Sequence, residues 1–275
     1  MKKVLIIGVS GFIGRNLYHS LVKENQVYGI SRTKVDLLNC DVVDVSNRND
    51  LKTYFSSVDF DVVINLAAKL ANADNLRDIG VLTNNLLITQ NLIDVFKTTN
   101  GFHFINFSSS SVYSNLSGKY TEQGLIWPSH NSDCLYGLSK FNAEILFDYL
   151  LKESKVEITQ IRIPMVYGDG MNSERIHKVF ENELLEKNTI TIWGNGDRVI
   201  SHIHIDELCK KIEKIIERRV RGVYNMMGEC ISLSRLAERT IDKLGDSTSK
   251  IIKVDKGSSS QFILDGRILN NLLND

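Results

Sequence analysis

The stretch Lys3–Leu21, KVLIIGVSGFIGRNLYHSL, constrains this chain more than any other. An apolar run of strand length breaks at Gly8, glycines recur at 11 and 14, and an amphipathic helical pattern takes over. A strand that becomes a helix within a few residues needs glycine for three reasons. The turn is tight, the backbone must come close to a bound group, and the helix must lie close to the sheet. The helix start then offers free N–H groups and a partial positive charge to a phosphate. The turn therefore predicts a dinucleotide site, with Gly8, Gly11, Phe12, Ile13 and Gly14 around the pyrophosphate.

The rest of the chain keeps the same rhythm. QVYGIS, DVVINLA, FHFINFSS and VEITQIRIP read as strands, and FIGRNLYHSLVKE, NNLLITQNLIDVFKTT and YGLSKFNAEILFDYLLKES as helices. Continuous apolar strands alternating with helices predict a parallel sheet covered on both faces. After Pro164 the pattern changes to loop-rich stretches, MVYGDGMNSERIH and WGNGDRVISHIH, followed by helices from Asp206 and Leu233. With only two prolines and no linker, the expectation is an α/β chain with a Rossmann-type doubly wound parallel sheet over residues 1–164. Later segments return to it, and a small C-terminal α/β substrate lobe, mainly 165–275, packs tightly against it.

Composition narrows the function. The 33 basic and 33 acidic residues cancel, so nothing predicts attraction to nucleic acid or to an anionic membrane. Cys40, Cys134, Cys209 and Cys230 form no C-x-x-C pair, which predicts reduced thiols rather than a zinc site or a disulfide framework. Two lysines before the first apolar run imitate a signal peptide. That run is short, glycine-broken and followed by Arg15, and no stretch reaches the ~20 apolar residues of a membrane span. A cytoplasmic protein is expected. His202 and His204 share one strand face but have no third ligand in view, so no metal is expected.

Two further motifs carry chemistry. FINFSSSSVYS places Ser109 at a strand end, and YGLSK places Tyr136 and Lys140 at i and i+4, on one helix face. No other tyrosine here has a lysine four residues on. A phenol with a pKa near ~10 is a poor proton shuttle at neutral pH, and a nearby ammonium lowers it. Tyr136 then serves as general acid or base beside Lys140. The second strand ends GISRTKVD, with Ser31 and Arg32 where NAD enzymes place an acid for the ribose. A guanidinium there suits a 2′-phosphate, so NADP(H) is favoured. Asp36 keeps NAD(H) open. Arg198 is a candidate partner for a substrate pyrophosphate, with Arg175 and Lys69 weaker candidates of the same kind.

The G-x-x-G-x-x-G spacing of GVSGFIG, with the strand-end serine and Y-x-x-x-K in that order, resembles the extended branch of the short-chain dehydrogenase/reductase superfamily. That branch acts largely on nucleotide sugars. The resemblance implies a catalytic hydroxyl at Ser109, four residues before Tyr113, with Ser109 and Ser110 also facing substrate. It implies cofactor contacts from Asp41 and Val42 in CDVVD, from Leu66, Ala67 and Ala68 in VVINLAAKL, and from Tyr136 and Lys140. Asn85 would stabilise the same region, and Pro164 and Val166 would sit beside the nicotinamide. Met165 stands where the family often has Asn. Ser110 and Ser111 replace the Asp-Glu pair usual in 4,6-dehydratases. The reading is an NAD(P)-dependent reductase of an NDP-4-keto-6-deoxyhexose, with a nucleotide-sugar 4-epimerase as alternative. A non-catalytic dinucleotide sensor is the third reading. Dimers built on two helices per subunit are common in the superfamily, so a homodimer is possible by analogy.

Overall fold

The first strand, β1 (Lys3–Ile7), shows why the sheet is buried on both sides. Val4 and Ile6 face one apolar cluster and Leu5 and Ile7 face another, as the two-residue period of a strand requires. The computed structural model describes residues 1–257 and 259–274. In chain order the further strands are β2 (Gln26–Ser31), β3 (Cys40–Val42), β4 (Val62–Asn65), β5 (His103–Ser109), β6 (Gly118–Tyr120) and β7 (Glu157–Ile163). Then follow β8 (Met165–Tyr167), β9 (Thr189–Trp193), β10 (Val199–His204), β11 (Gly222–Asn225), β12 (Glu229–Ser232), β13 (Lys250–Val254) and β14 (Phe262–Leu264). The helices are α1 (Phe12–Leu21), α2 (Arg48–Ser57), α3 (Gly80–Phe96), α4 (Cys134–Leu150), α5 (Ile176–Lys187), α6 (Ile205–Arg218), α7 (Leu233–Leu244) and α8 (Arg267–Asn274).

Seven parallel strands form the central sheet in the order β11-β7-β5-β4-β1-β2-β3. The order reverses between β1 and β4, and ligands of such sheets bind outside the carboxyl ends at that switch point. One face is covered by Leu17 and Leu21 of α1, Leu208, Ile212 and Ile215 of α6, and Leu269 and Leu273 of α8. The other is covered by Leu51 and Phe55 of α2, Leu92 and Phe96 of α3, and Phe147 of α4.

The second half is more interleaved than its loop-rich sequence indicates. β11 returns to the main sheet beside β7, and α6 joins the cluster over α1. The small lobe holds β8, β10 and β12 in one sheet and β9 with β13 in another, over a separate core that includes Phe180, Ile190 and Leu236. Three helices lie outside the sequence expectations, α2, α5 and α8, the last of which packs Leu269 and Leu273 onto the main core. Asn47 accepts from the N–H groups of Asn49 and Asp50 and so caps α2, whose Leu51 and Phe55 point inward. Starting at the end of the first loop-rich stretch and running through residues left unassigned, α5 buries His177, Phe180 and Leu184 on one stripe and ends at Asn188 in the left-handed conformation. The first helix is shorter than expected, ending at Leu21 with Val22 as its C-cap.

Candidate active site

Gly8 ends β1 at φ +89°, a conformation that favours glycine. A Cβ on Gly14 would meet the Gly8 carbonyl oxygen at 2.4 Å and Val9 Cα at 2.8 Å. The turn can therefore close only without side chains there. α1 begins at Phe12 with no side-chain cap, as α3, α4 and α5 also do, but it alone of these follows the glycine turn. Uncapped N–H groups at a switch point, with the phosphate-sized approach kept open by glycine, fit a dinucleotide pyrophosphate. On the opposite rim the Leu66 N–H donates to Ile7 O at 2.9 Å, bringing Leu66, Ala67 and Ala68 alongside the turn.

Asn85 does its work through that rim. Its Oδ1 accepts from the Lys69 N–H at 2.7 Å, and its Nδ2 donates to Lys69 O and to Ser139 Oγ at 3.1 and 2.9 Å. The side chain is thus engaged in holding the Ala67–Lys69 segment. At the end of β2, Ser31 is buried with its hydroxyl turned to Thr33 O at 2.6 Å. Arg32 beside it is exposed, as are Asp36, and Asp41 and Val42 on the edge strand β3. Pro164 is buried and Val166 half-buried at the head of the small lobe.

The catalytic candidates meet where β5 ends and α4 begins. Ser109 closes β5, and its Oγ accepts from the Ser111 N–H at 3.1 Å, starting a tight turn over Ser110–Val112. The first turn of α4 lies directly on this turn. A Cβ on Gly137 would sit 2.1 Å from Ser111 O. Tyr136 is half-buried, one residue before that contact. Lys140, one turn further, is buried, donates from Nζ to Phe107 O at 2.7 Å, and lies 5.8 Å from the Tyr136 ring centroid. A small polar cavity behind it is lined by Asn65, Asn85, Thr89, Asn106 and Ser139.

The electrostatics differ from the sequence expectation. Burial pushes the Tyr136 phenol above its ordinary value, the Asp133 carboxylate adds to the rise, and Arg175 pulls the other way. Burial also pulls the Lys140 ammonium down to about 8, with Glu144 opposing. The reason is that desolvation penalises both charged forms. In the protein alone, the phenol therefore keeps its proton.

Beneath the site lies a buried network. Arg162 clamps Glu144 with Nε at 3.0 Å and Nη2 at 2.7 Å, and its Nη1 donates to Tyr113 Oη at 2.7 Å. Ser108, next to Ser109, also donates to Glu144. In the small lobe Arg198 is half-buried, with a buried Nε that has no hydrogen-bond partner among the described residues. His202 is buried against His177, 2.8 Å between ring nitrogens, while His204 Nδ1 accepts from the Asp206 N–H at the start of α6. Two groups escaped the sequence reading: Asp133, three residues before Tyr136, and the Glu144–Arg162 pair. The buried pair is spaced unlike any local motif.

A doubly wound parallel sheet with a glycine turn at its switch point defines a Rossmann-type dinucleotide-binding protein, and this protein is of that class. The match to the NAD dependent epimerase/dehydratase family covers residues 4–226, and the chain belongs to that family. It is 25% identical to a dTDP-D-glucose 4,6-dehydratase of Dictyostelium discoideum over 82% of this chain, and spans 58% of that relative's length. It is 26% identical to CDP-abequose synthase of Yersinia pseudotuberculosis over 88% of this chain and 82% of the relative. The UDP-glucuronic acid 4-epimerase of Bacillus cereus, solved with UDP-glucuronic acid and NAD, superposes with a TM-score of 0.82 at 26% identity, covering 99% of this chain and 93% of its own. The protein is an enzyme of the NAD dependent epimerase/dehydratase family, and the relatives named above act on nucleotide sugars. Among the described residues no helix is long and apolar enough to cross a membrane.

Proposed function

We propose that this enzyme reduces the 4-keto group of an NDP-4-keto-6-deoxyhexose in the cytoplasm. The observation that carries the reading is the placing of Tyr136 and Lys140 on one face of α4, directly against the turn that follows Ser109. A bound NADPH would supply hydride to the carbonyl carbon, itself becoming oxidised. The carbonyl oxygen takes up the released electron pair, and Tyr136 gives it the phenolic proton. Ser109 orients that oxygen by a hydrogen bond, and Lys140 holds the nicotinamide ribose and favours the phenolate left behind. Solvent then reprotonates Tyr136.

Three features support this assignment over dehydration or sensing. Arg32 is exposed with no ion pair among the described residues, a guanidinium free for a 2′-phosphate. Ser110 and Ser111 put hydroxyls, not a carboxylate pair, directly after Ser109. Ser109, Tyr136 and Lys140 are all present, which a pure sensor does not need. Residues mainly of 165–275 take the sugar nucleotide, with the unpaired Nε of Arg198 a donor for its pyrophosphate. Leu87 on α3 and Ile145 and Tyr149 on α4 are exposed, an apolar face suited to a second copy.

A 4-epimerase is the second reading, favoured by the likeness to the B. cereus enzyme. A panel of 4-keto-sugar nucleotides with NADPH separates them. The reductase consumes NADPH in step with substrate; an epimerase converts sugar with no net change in absorbance. Failure of both cofactors to raise the melting temperature would remove the dinucleotide assignment.

A further inference from the structure

Asp133 opens α4, yet its carboxylate caps none of the helix's N–H groups. Aspartate at this position normally accepts from the first turn, a bond worth about 1 kcal/mol. Here Oδ2 accepts instead from Ser111 Oγ at 2.8 Å. The Ser111 N–H in turn donates to Ser109 Oγ at 3.1 Å. A continuous line of hydrogen bonds thus runs from the candidate catalytic hydroxyl to the residue that starts the tyrosine helix. The backbone closes the same junction. Gly137 N donates to Asp133 O at 3.0 Å, and Asn131 Nδ2 donates to Ser111 O at 2.8 Å and to Tyr113 O.

The charges around Tyr136 come from three places. Asp133 lies one helical turn before it, Lys140 one turn after with Nζ 5.8 Å from its ring centroid, and Arg175 comes from the N-cap position of α5. Asp133 and Arg175 act on the phenol in opposite senses, Asp133 more strongly. Together with the forgone cap, this gives Asp133 two roles that a surface carboxylate lacks.

We propose that Asp133 is a positioning residue of this site: through Ser111 it ties the Ser109 turn to the helix of Tyr136, and its negative charge, one helical turn away, opposes the Tyr136 phenolate until Lys140 and a bound cofactor offset it. The inference rests on the reductase reading above. It adds an acidic residue to the site outside the Ser–Tyr–Lys set, reaching the turn from the helix side where Ser110 and Ser111 carry none of their own.

The test uses the full chain labelled with 13Cζ-tyrosine, with the Tyr136 resonance assigned by its loss in Tyr136→Phe. Asp133→Asn keeps an acceptor for Ser111 and removes the charge. Tyr136 in that variant should ionise earlier by on the order of half a pH unit or more, and Arg175→Gln should move it later. The alkaline limb of kcat with NADPH and a keto-sugar should shift the same way. Ser111→Ala, which cuts the tether and leaves the charge, should lower kcat by about tenfold with KM nearly unchanged, at a melting temperature close to wild type. Unchanged Tyr136 ionisation in Asp133→Asn overturns the electrostatic role. Wild-type kcat in Ser111→Ala overturns the tether. If no keto-sugar is turned over, the reductase reading fails on its own, because the tyrosine titration is read without substrate.

Discussion

The contact between Gly137 and the Ser111 carbonyl lends itself to a quantitative test. In Gly137→Ala the new methyl would begin 2.1 Å from Ser111 O. Ordinary carbon–oxygen contact lies more than about 1 Å further out. Neither partner is the tip of a flexible side chain. Ser111 O is backbone and already accepts from Asn131, and Gly137 lies within a helix whose Ala143 and Phe147 are buried. The turn and the helix must therefore move apart by roughly that 1 Å. Alanine favours the helix by about 1 kcal/mol over glycine, whereas overpacking costs typically 1–3 kcal/mol, so stability should drop only slightly. Activity should suffer far more. A 1 Å misplacement of catalytic groups costs on the order of 10²-fold, here because Ser109 and Tyr136 sit on opposite sides of the displaced contact. The expected pattern is kcat/KM down by about 10²-fold, dinucleotide affinity by isothermal titration near wild type, and a melting temperature within a few degrees. A variant within twofold of wild type in kcat/KM would refute the claim that this contact sets the geometry of the pair.

Other expectations follow from the buried charges and the cleft. Glu144→Ala strands Arg162, about 5% exposed, and should cost roughly 3–5 kcal/mol in urea unfolding; a loss under 1 kcal/mol would show that water reaches the pair. Burial holds His103 and His177 at about 4 and His202 below its ordinary value. The unfolded chain binds those protons near ~6.5, so their contribution is complete above that pH and is lost as pH falls toward 4. For His103 alone this amounts to roughly 3 kcal/mol; equal unfolding free energies at pH 7 and pH 4.5 would contradict it. Arg32→Glu should weaken NADPH by at least about tenfold and leave NADH nearly unchanged, read by fluorescence titration. Equal losses for both cofactors would place Arg32 away from the 2′-position.

The β1 turn and the pairing of Tyr136 with Lys140 were legible because their determinants are local. Gly11 and Gly14 act through Gly8 and Val9, a few residues away, and Tyr136 and Lys140 share a helix face by spacing alone. Strands such as β5 showed themselves because a parallel sheet covered on both sides demands unbroken apolar runs. α5 was missed because its stripe of His177, Phe180 and Leu184 is narrow and carries a histidine where an aliphatic residue would have marked it. The proton affinity of Tyr136 in the protein alone was not legible for a different reason. Its sign depends on how much water the fold removes, and on Asp133 and Arg175, which only folding brings to it. Glu144 and Arg162 lie 18 residues apart and meet only because α4 packs on β7.

The return of β11 to the main sheet bears on how the chain can be made. Residues 1–164 look like a self-sufficient half when read from the N-terminus, but in the folded protein β7 is paired on both sides, by β5 and by β11 from more than fifty residues later. A fragment ending at Pro164 would leave β7 as an open edge, with the buried Ile161 at its centre, and would strip α6 and α8 from the apolar face over α1. Such an edge is a template for self-association. A graft exchanging residues 165–275 between relatives would therefore have to leave α6, β11 and α8 with the host sheet rather than cut at one point.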